Sequence, residues 1–316
     1  MSQTPLAVVI LVHADPDHLA RLVGALDEMP IFVHCDATTS AQTFARMVEL
    51  LPARVTFVER IPTSLASWSL VAAELAALRA ALRQSDARHI AVLSGSDYPL
   101  LSVDDLYREL EAWDGHSWVP NSPLPFKPWG SPRHDDGGMW RLEHRFFTRR
   151  DNVLFVGDYP LRWPRRRKVP VEVRPRAATQ WKIYARDHAQ RLLEVLDDRP
   201  DLVGFWRRTL VPDESAIASL MASPELFGSD RLPVQPTEAW YLDWNSDNAG
   251  HPRWLDDADF EKIKSARWAP SFTPEDPMYG ELVHLTRRKL FARKMSSTKS
   301  ALLVDRIDAE LRNVSS

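Results

Sequence analysis

The first 120 residues alternate between short apolar runs and stretches of helical spacing, and this alternation restricts the folds open to the chain. Leu6–Val12 is a continuous apolar run, which is typical of a strand buried on both faces of a sheet. Similar patterns predict strands at residues 31–34, 55–58 and 89–93 and helices at residues 18–26, 41–51, 70–83 and 103–110. Four β-α units in this order predict an α/β fold with a mostly parallel, Rossmann-type sheet and helices on both of its faces.

The pattern changes after Trp118. Residues 120–176 are rich in Pro, Trp and Arg and have no sustained period, which predicts a loop-rich region. Helical spacing returns at residues 188–196, 214–222, 258–264 and 300–311. Because the chain has no internal repeat and no evident linker, we expect a single domain over residues 1–316. Residues 1–119 form the regular half of this domain, and residues 120–316 the less regular half.

Composition excludes several classes of protein. The formal net charge of -3 argues against the overall basic field that drives nucleic-acid binding. The single cysteine, Cys35, cannot form an intrachain disulfide, fits a reducing compartment and is expected to be a small buried residue. No run approaches the roughly 18 apolar residues of a membrane span. We therefore expect a cytoplasmic protein. The basic run at residues 162–168 leaves open a solvated loop or a peripheral contact with phosphate or the inner membrane.

Polar and aromatic residues stand near the ends of the predicted strands. They are His13 after the first strand, Asp36 after the second, Ser67 and Trp68 before the third helix, and Asp97 after the fourth strand. Each could be structural by itself, since Asp36 could cap a turn and Trp68 could pack in a core. Ligands of doubly wound sheets bind outside the carboxyl ends of the strands, so these residues together predict a nucleotide site.

Several familiar motifs are missing from the sequence. The chain contains neither the Gly-x-Gly-x-x-Gly dinucleotide fingerprint nor the P-loop pattern Gly-x-x-x-x-Gly-Lys-Ser/Thr. Its His and Cys residues do not have the spacing of a zinc site. A nucleotidyltransferase on a similar sheet is one alternative. It would need a Gly-rich loop after the first strand and paired carboxylates for Mg²⁺, and neither is evident in the sequence.

Six short motifs occur in a fixed order along the chain. They are Ile31-Phe-Val-His-Cys-Asp36, Leu65-Ala-Ser-Trp68, Leu93-Ser-Gly-Ser-Asp-Tyr-Pro-Leu100, Thr179-Gln-Trp181, Val211-Pro-Asp-Glu-Ser215 and Leu290-Phe-Ala-Arg-Lys294. Together they resemble glycosyltransferase family 14, the core-2/I-branching N-acetylglucosaminyltransferases and peptide O-xylosyltransferases. The resemblance runs from residue 8 to residue 311 and is weakest over residues 120–176, where the family binds its acceptor. It implies a nucleotide-binding half over residues 1–119 and an acceptor-binding and catalytic half over residues 120–316. It implies a GT-A-like fold and an inverting transfer from a UDP-sugar, with N-acetylglucosamine or xylose expected, and no divalent metal or other cofactor.

The residues themselves also argue against a metal cofactor. Most GT-A enzymes hold a metal with Asp-x-Asp at the end of a central strand, whereas Ser94-Gly-Ser-Asp97 supplies one carboxylate, a poor Mg²⁺ or Mn²⁺ site. The charge on the departing diphosphate then needs protein cations. The resemblance assigns Arg293 and Lys294 to this role. On spacing alone they could form a basic surface turn, because three basic residues precede them: Arg287, Arg288 and Lys289.

An inverting transfer also needs a general base that takes the proton of the acceptor hydroxyl. The resemblance implies that Glu214 is this base. From the residues alone, Asp213 is expected to be the N-cap of a helix. Glu214 would then lie in the first turn of that helix, where the helix dipole would keep its carboxylate ionised.

Six further residues are candidates for contact with the donor sugar or the acceptor, mainly through the resemblance: Gln180, Trp181, Glu143, Arg145, Trp240 and Trp244. Trp240 and Trp244 are interpreted as pocket walls. The donor is expected to be a UDP-sugar, and the acceptor stays open between a glycan, a lipid-linked molecule and a small molecule. A non-catalytic carbohydrate-binding protein on the same fold is a second alternative.

Overall fold

The computed structural model describes residues 4–113, 115–130, 134–228, 238–244, 251–268 and 288–313. The strands are β1 (Leu6–Val12), β2 (Ile31–Cys35), β3 (Val55–Phe57), β4 (His89–Ser94), β5 (Asp97–Pro99), β6 (Ser122–Pro123), β7 (His144–Phe146), β8 (Thr148–Arg149), β9 (Asn152–Val153), β10 (Phe155–Val156), β11 (Tyr159–Pro160), β12 (Arg162–Arg166), β13 (Arg176–Ala177), β14 (Lys182–Ala185), β15 (Trp240–Leu242) and β16 (Phe291–Arg293). The α-helices are α1 (Pro16–Ala25), α2 (Ala41–Leu50), α3 (Trp68–Gln84), α4 (Val103–Glu111), α5 (Trp140–Glu143), α6 (Arg186–Asp198), α7 (Pro200–Trp206), α8 (Ala216–Met221), α9 (Pro224–Phe227), α10 (Phe260–Ala266) and α11 (Ala301–Ile307). Short 3-10 turns cover Lys127–Trp129, Pro212–Glu214 and Asp257–Asp259, and a π-helical turn, Asp308–Arg312, extends α11.

The central sheet has five strands in the order β14-β4-β1-β2-β3. β1 pairs in parallel with β2 and β4, and β2 pairs in parallel with β3, which confirms the predicted β-α units. β14, from the second half of the chain, pairs antiparallel with β4. The sheet is therefore mostly parallel, and both halves of the sequence contribute strands to it.

Side chains of β1 alternate between two hydrophobic cores, because successive residues of a strand point to opposite faces of the sheet. Leu6, Val8 and Ile10 belong to a core that includes α1, α4 and α11. Ala7 and Val9 belong to a second core with α3 and α6. This arrangement explains why β1 reads as one continuous apolar run, and it confirms helices on both faces. Cys35 is also buried, as expected.

The strand order creates a switch point between β1 and β4. The chain moves outward from β1 to β2 and β3, and then crosses back to β4 on the other side of β1. Loops that leave neighbouring strands in opposite directions open a crevice, and ligands of such sheets bind there.

A second, three-stranded sheet in the order β15-β16-β5 brings the C-terminal part of the chain to this edge. β5 follows β4 closely and pairs antiparallel with β16, with Arg293 opposite Asp97.

Most predicted helices and strands lie within a few residues of those observed. The helix predicted at residues 214–222 differs at its start, because Pro212–Glu214 forms a separate 3-10 turn and α8 begins at Ala216. The loop-rich region at residues 120–176 also contains several strands of two to five residues. Such short strands show no period in a sequence. None of the helices in the described residues is long and apolar enough to cross a membrane.

Candidate active site

An aromatic cleft of about 300 Å³ lies beside the carboxyl end of β4. Six of its lining residues are aromatic: Trp118, Phe126, Trp129, Trp181, Trp240 and Trp244. Trp240 is buried and stacks on Trp118 with ring centroids 4.8 Å apart, whereas Trp244 is 49% exposed. The structure thus brings Trp181, Trp240 and Trp244 together as walls of one cleft. Sugars present flat C–H faces that suit such surfaces.

One short segment of the cleft wall, Ala177–Trp181, contacts the backbone of Glu214 and the guanidinium of Arg293. The backbone N–H of Ala178 donates to the backbone carbonyl of Glu214 at 2.7 Å. The guanidinium of Arg293 stacks on the Trp181 ring, 4.7 Å from its centroid. Glu214 and Arg293 therefore lie on either side of the same stretch of chain, although 79 positions separate them in the sequence.

Glu214 is the last residue of the Pro212–Glu214 turn and is partly exposed. No hydrogen bond from the described residues reaches its carboxylate. Val211, which precedes the turn, has a φ of 55°, a left-handed conformation that is rare for a β-branched residue. Its N–H donates to the carbonyl of Ala66 at 3.0 Å, which holds the turn against the loop before α3. The turn therefore holds the Glu214 backbone in place, and its carboxylate has no hydrogen-bond partner in the described part of the chain.

Burial and then the negative charge of Asp213 raise the pKa of Glu214 to about 7, while the cations Arg141 and Lys182 oppose this shift. Burial also raises the pKa of Asp213, to about 6. The expectation that a helix dipole keeps Glu214 ionised is wrong. The residue lies ahead of α8, and desolvation and the neighbouring carboxylate have the larger effect. Asp213 is not an N-cap either, since Ser215 holds that position and Asp213 Oδ1 has no hydrogen-bond partner among the described residues.

A buried ion pair between Lys182 and Glu74 contacts the Pro212–Glu214 turn through the backbone of Asp213. The Nζ of Lys182 lies 3.1 Å from Glu74 Oε2, and both side chains are at most 1% exposed. Lys182 also donates to the backbone carbonyl of Gln180 at 2.8 Å and to that of Asp213 at 3.5 Å. The hydroxyl of Tyr184 donates to the other oxygen of Glu74. No motif indicates this pair, although a lysine and a glutamate inside apolar patterns are a signal that could have predicted it.

The cationic side of the cleft, next to Trp181, is formed by the end of β16 and the chain that follows it. Arg293 donates to Ser94 Oγ and lies 3.4 Å from the carboxylate of Asp97, which is fully buried. Burial raises the pKa of Asp97, and the charge of Arg293 opposes the rise. Lys294 lies over the Trp254 ring at 4.3 Å. Burial, followed by repulsion from Arg293 and Lys299, lowers the pKa of Lys294.

These cations differ from their basic neighbours in the sequence. Arg288 pairs with Asp105 and Glu109, and Lys289 pairs with Glu238. In contrast, Lys294 and Lys299 have no carboxylate within ion-pair distance in the part of the chain that the structure describes. Arg287 lies outside the described residues. Clustered cations that repel each other favour an anion, and Lys299 is a member of this cluster that the sequence did not reveal.

A family model described as Branch: Core-2/I-Branching enzyme matches residues 7–267. The chain belongs to the Core-2/I-Branching enzyme family. It is therefore a glycosyltransferase, and the family implies a nucleotide-sugar donor and a glycan acceptor. Five of the six motifs lie inside the matched range, and the sixth, Leu290-Phe-Ala-Arg-Lys294, lies beyond it. The position of Arg293 against Trp181 in the cleft wall, and of Lys294 over Trp254, is therefore known only from the structure.

Comparison with solved structures shows weak similarity to HddC from Yersinia pseudotuberculosis. One structure of that protein has a TM-score of 0.29 and 10% sequence identity, covering 58% of this chain and 79% of HddC. A second, of HddC complexed with GMP-PN, has a TM-score of 0.28 with the same identity and coverage. No curated protein sequence matches this Core-2/I-Branching family member.

Three residues predicted to bind the nucleotide, Asp36, Ser67 and Trp68, make structural contacts with nearby loops or with the core. The Asp36 carboxylate accepts hydrogen bonds from the backbone and side chain of both Thr38 and Thr63. Ser67 is buried and accepts from the N–H of Val153 at 2.9 Å, and Trp68 packs in the core with α3. Contact with a nucleotide stays a prediction for these three residues.

Two residues of the loop after β1 contact other loops. His13 is exposed, and its carbonyl accepts from the hydroxyl of Thr39 at 2.9 Å. Asp15, which was not among the predicted site residues, accepts from the N–H of Ser297 at 2.8 Å and from that of His18 at 3.1 Å. Asp15 thus joins the loop after β1 to the segment that follows Lys294. A nucleotide role for His13 stays a prediction.

The two acceptor-binding charges predicted in the second half lie away from the aromatic cleft. Glu143 pairs with Arg166 at 2.8 Å beside a second, open cavity of about 460 Å³, which Asp135 and Lys127 also line. Arg145 is exposed on β7. The backbone of Gln180 is held by Lys182, next to Trp181 in the cleft. Contact of Glu143, Arg145 and Gln180 with an acceptor stays a prediction.

Proposed function

We propose that this family member is an inverting, metal-independent glycosyltransferase that moves a sugar from a UDP-sugar to an acceptor hydroxyl. N-acetylglucosamine and xylose are the preferred donor sugars. The observation that carries the proposal is the contact of the Ala177–Trp181 segment with Glu214 through Ala178 and with Arg293 through Trp181. A sugar in the aromatic cleft would lie against this segment, next to the residues that carry the carboxylate and the cation.

Glu214 supplies the general base in this proposal. Its carboxylate takes the proton of the acceptor hydroxyl while the hydroxyl oxygen forms a bond to the anomeric carbon. The bond between that carbon and the β-phosphate oxygen breaks on the opposite side, which inverts the configuration. A base works best when its pKa is near the working pH, and the raised pKa of Glu214, about 7, meets that condition.

Arg293, Lys294 and Lys299 stabilise the departing UDP. Negative charge grows on the β-phosphate as the sugar leaves, and fixed cations in a partly dry site stabilise it without first having to reorganise. Asp97, Ser94 and the Trp181 ring orient Arg293. The Nε of Arg293 is buried and has no partner among the described residues, so the guanidinium retains capacity for a phosphate oxygen.

Arg293 also supports the metal-independent part of the proposal. Asp97 occupies the position where most GT-A enzymes place a metal ligand. Here it accepts a 2.5 Å hydrogen bond from the N–H of Ser94 and faces Arg293. The guanidinium therefore takes the place at this carboxylate that a divalent cation would need.

A screen of UDP-sugars by thermal shift and by UDP release, with and without excess EDTA, tests the proposal. We expect one UDP-sugar to raise the melting temperature and to turn over at the same rate in EDTA. Complete dependence of turnover on Mn²⁺ would contradict the metal-independent mechanism. Retention of the anomeric configuration, read by NMR of the first product formed, would contradict inversion. Glycan binding without any turnover would favour the non-catalytic alternative.

A further inference from the structure

Exposed apolar side chains are concentrated in one segment, residues 145–168, which we call the hairpin surface. Thirteen large hydrophobic side chains in the described residues are exposed, and seven of them lie in this segment: Phe147, Leu154, Phe155, Val156, Tyr159, Leu161 and Trp163. Single exposed apolar residues are ordinary on protein surfaces, but a contiguous patch indicates an interaction site.

Backbone pairing places these side chains next to one another. The N–H of Leu154 donates to the carbonyl of Phe147 at 2.9 Å, and that of Leu161 donates to the carbonyl of Leu154 at 2.8 Å. The rings of Phe147 and Trp163 are 6.2 Å apart. The outermost hairpin pairs β10 with β11, so Phe155, Val156 and Tyr159 project at its tip. The patch is therefore continuous across several short strands.

The same segment is strongly basic. Residues 145–168 contain eight Arg or Lys and only two Asp, in a chain whose net charge is -3. Five of these cations are exposed and have no carboxylate within ion-pair distance in the described part of the chain: Arg145, Arg149, Arg150, Arg165 and Lys168. Unpaired cations among exposed apolar groups attract a surface that is both anionic and apolar.

The hairpin surface is firmly attached to the body of the protein. The N–H of Val153 donates to Ser67 Oγ, and the carbonyl of Asp151 accepts from the N–H of Ser69 at 3.3 Å. Phe146 and Val153 form a small core with Leu210, against which Val211 packs. Val211 directly precedes the Pro212–Glu214 turn. Because Val211 packs against this small core, the hairpin surface has a fixed position relative to that turn.

We propose that the hairpin surface docks the protein on the interface of an anionic lipid bilayer. Trp and Tyr prefer the headgroup level of a membrane, and apolar residues flanked by Lys and Arg insert there without spanning the bilayer. Charge attraction to anionic lipids adds to this insertion. A polyanion such as nucleic acid would be bound by the cations alone and would leave the seven apolar side chains exposed. Lipid is the partner whose chemistry matches both features.

Vesicle co-sedimentation of the whole chain, without any sugar donor, tests this proposal. We expect binding to vesicles of phosphatidylcholine and phosphatidylglycerol at low salt, and much weaker binding to pure phosphatidylcholine or in high salt. The double variant Arg149→Gln/Arg165→Gln is expected to lower the partition coefficient about 30-fold, since each cation near an anionic surface contributes roughly fivefold. Phe155→Ser/Val156→Ser is expected to lower it about tenfold or more.

Two control variants make matched changes elsewhere. Val48→Ser/Leu302→Ser removes two exposed apolar groups, and Arg46→Gln/Arg83→Gln removes two exposed cations, and both are expected to bind vesicles like the unchanged chain. Equal losses in the controls and the hairpin variants would overturn the proposal. So would self-association through this patch, seen as a concentration-dependent dimer that Phe155→Ser/Val156→Ser abolishes, in a chain that does not bind vesicles. Binding to a soluble polyanion with no binding to vesicles would also overturn it. UDP release in solution is unaffected by the hairpin variants, so failure of docking is distinguishable from failure of the proposed function.

Discussion

Two groups of charged residues beside the cleft, one acidic and one basic, each place like charges close together. Asp213 and Glu214 place two carboxylates in a poorly solvated turn, and the pKa of each rises. Arg293, Lys294 and Lys299 place cations together, and the pKa of Lys294 falls. Opposite charges are present on each side, with Arg141 and Lys182 near the carboxylates and Asp97 beside Arg293, but burial and like charges have the larger effect on the pKa values of Glu214 and Lys294. In the proposed transfer, a proton taken up by Glu214 and a diphosphate bound at the cations would each reduce this repulsion. The first prediction below tests the carboxylate side at its centre.

Replacing the Glu214 carboxylate by an amide should give the largest effect on activity. Glu214→Gln keeps the shape of the side chain and removes the proton acceptor, so kcat is expected to fall by about 10²–10⁴-fold. UDP affinity, measured by calorimetry, should change little because UDP is held by the cationic side. Glu225→Gln, a change of an exposed glutamate, is the control. Full activity of Glu214→Gln would remove this residue from the mechanism.

Breaking the buried Lys182–Glu74 ion pair, which contacts the Pro212–Glu214 turn, should have the largest effect on stability. Lys182→Met leaves Glu74 buried without its cation, and the free energy of unfolding in urea is expected to fall by ~3–5 kcal/mol. The double variant Lys182→Met/Glu74→Gln should recover much of that loss, because it removes the unpaired charge and keeps an acceptor for Tyr184. Equal stability of the single and double variants would show that the pair does not hold the turn.

The cationic side is tested by comparing two ligands. Lys294→Ala is expected to weaken the binding of UDP by about 10- to 100-fold, which is the range for a lost charge-assisted hydrogen bond. The affinity for uridine should be almost unchanged. Calorimetric titration of both ligands measures the difference, and Lys262→Ala, an exposed lysine on α10, is the control. An equal loss for both ligands would argue that Lys294 does not contact the diphosphate.

The pH dependence of activity gives the smallest and most specific effect. Only ionised Glu214 accepts a proton, so kcat/KM should rise with pH, by about tenfold per unit below pH 7, and level off above it. Because the charge of Lys182 opposes the raised pKa of Glu214, the midpoint in Lys182→Met should move to higher pH. A flat profile between pH 5.5 and 8 is incompatible with Glu214 as the base.

The site could be predicted only in part. Trp181, Trp240, Trp244 and Glu214 were identifiable through the family resemblance, and the structure places the three tryptophans in one cleft and the backbone of Glu214 beside it. Lys299 and Asp15 were not predicted, because the charge effect of Lys299 on Lys294 and the contact of Asp15 with Ser297 depend on the folded chain. The ionisation of Glu214 was predicted from local helix geometry, which had less influence than burial and Asp213. Charge effects of this kind depend on neighbours that a linear pattern does not contain.

The sequence by itself determined the parallel sheet and its helices, because strands buried on both faces require consecutive apolar residues and amphipathic helices require a regular period. It also determined the family, through residues 7–267. Only the tertiary structure decided that Arg293 meets Asp97 and Trp181, and that Glu214 lies beside the same segment. These contacts depend on the pairing of β16 with β5 and of β14 with β4, because that pairing brings together residues that are far apart in the chain. Burial then sets the protonation of the groups that the pairing brings together, and burial is a property of the packed molecule.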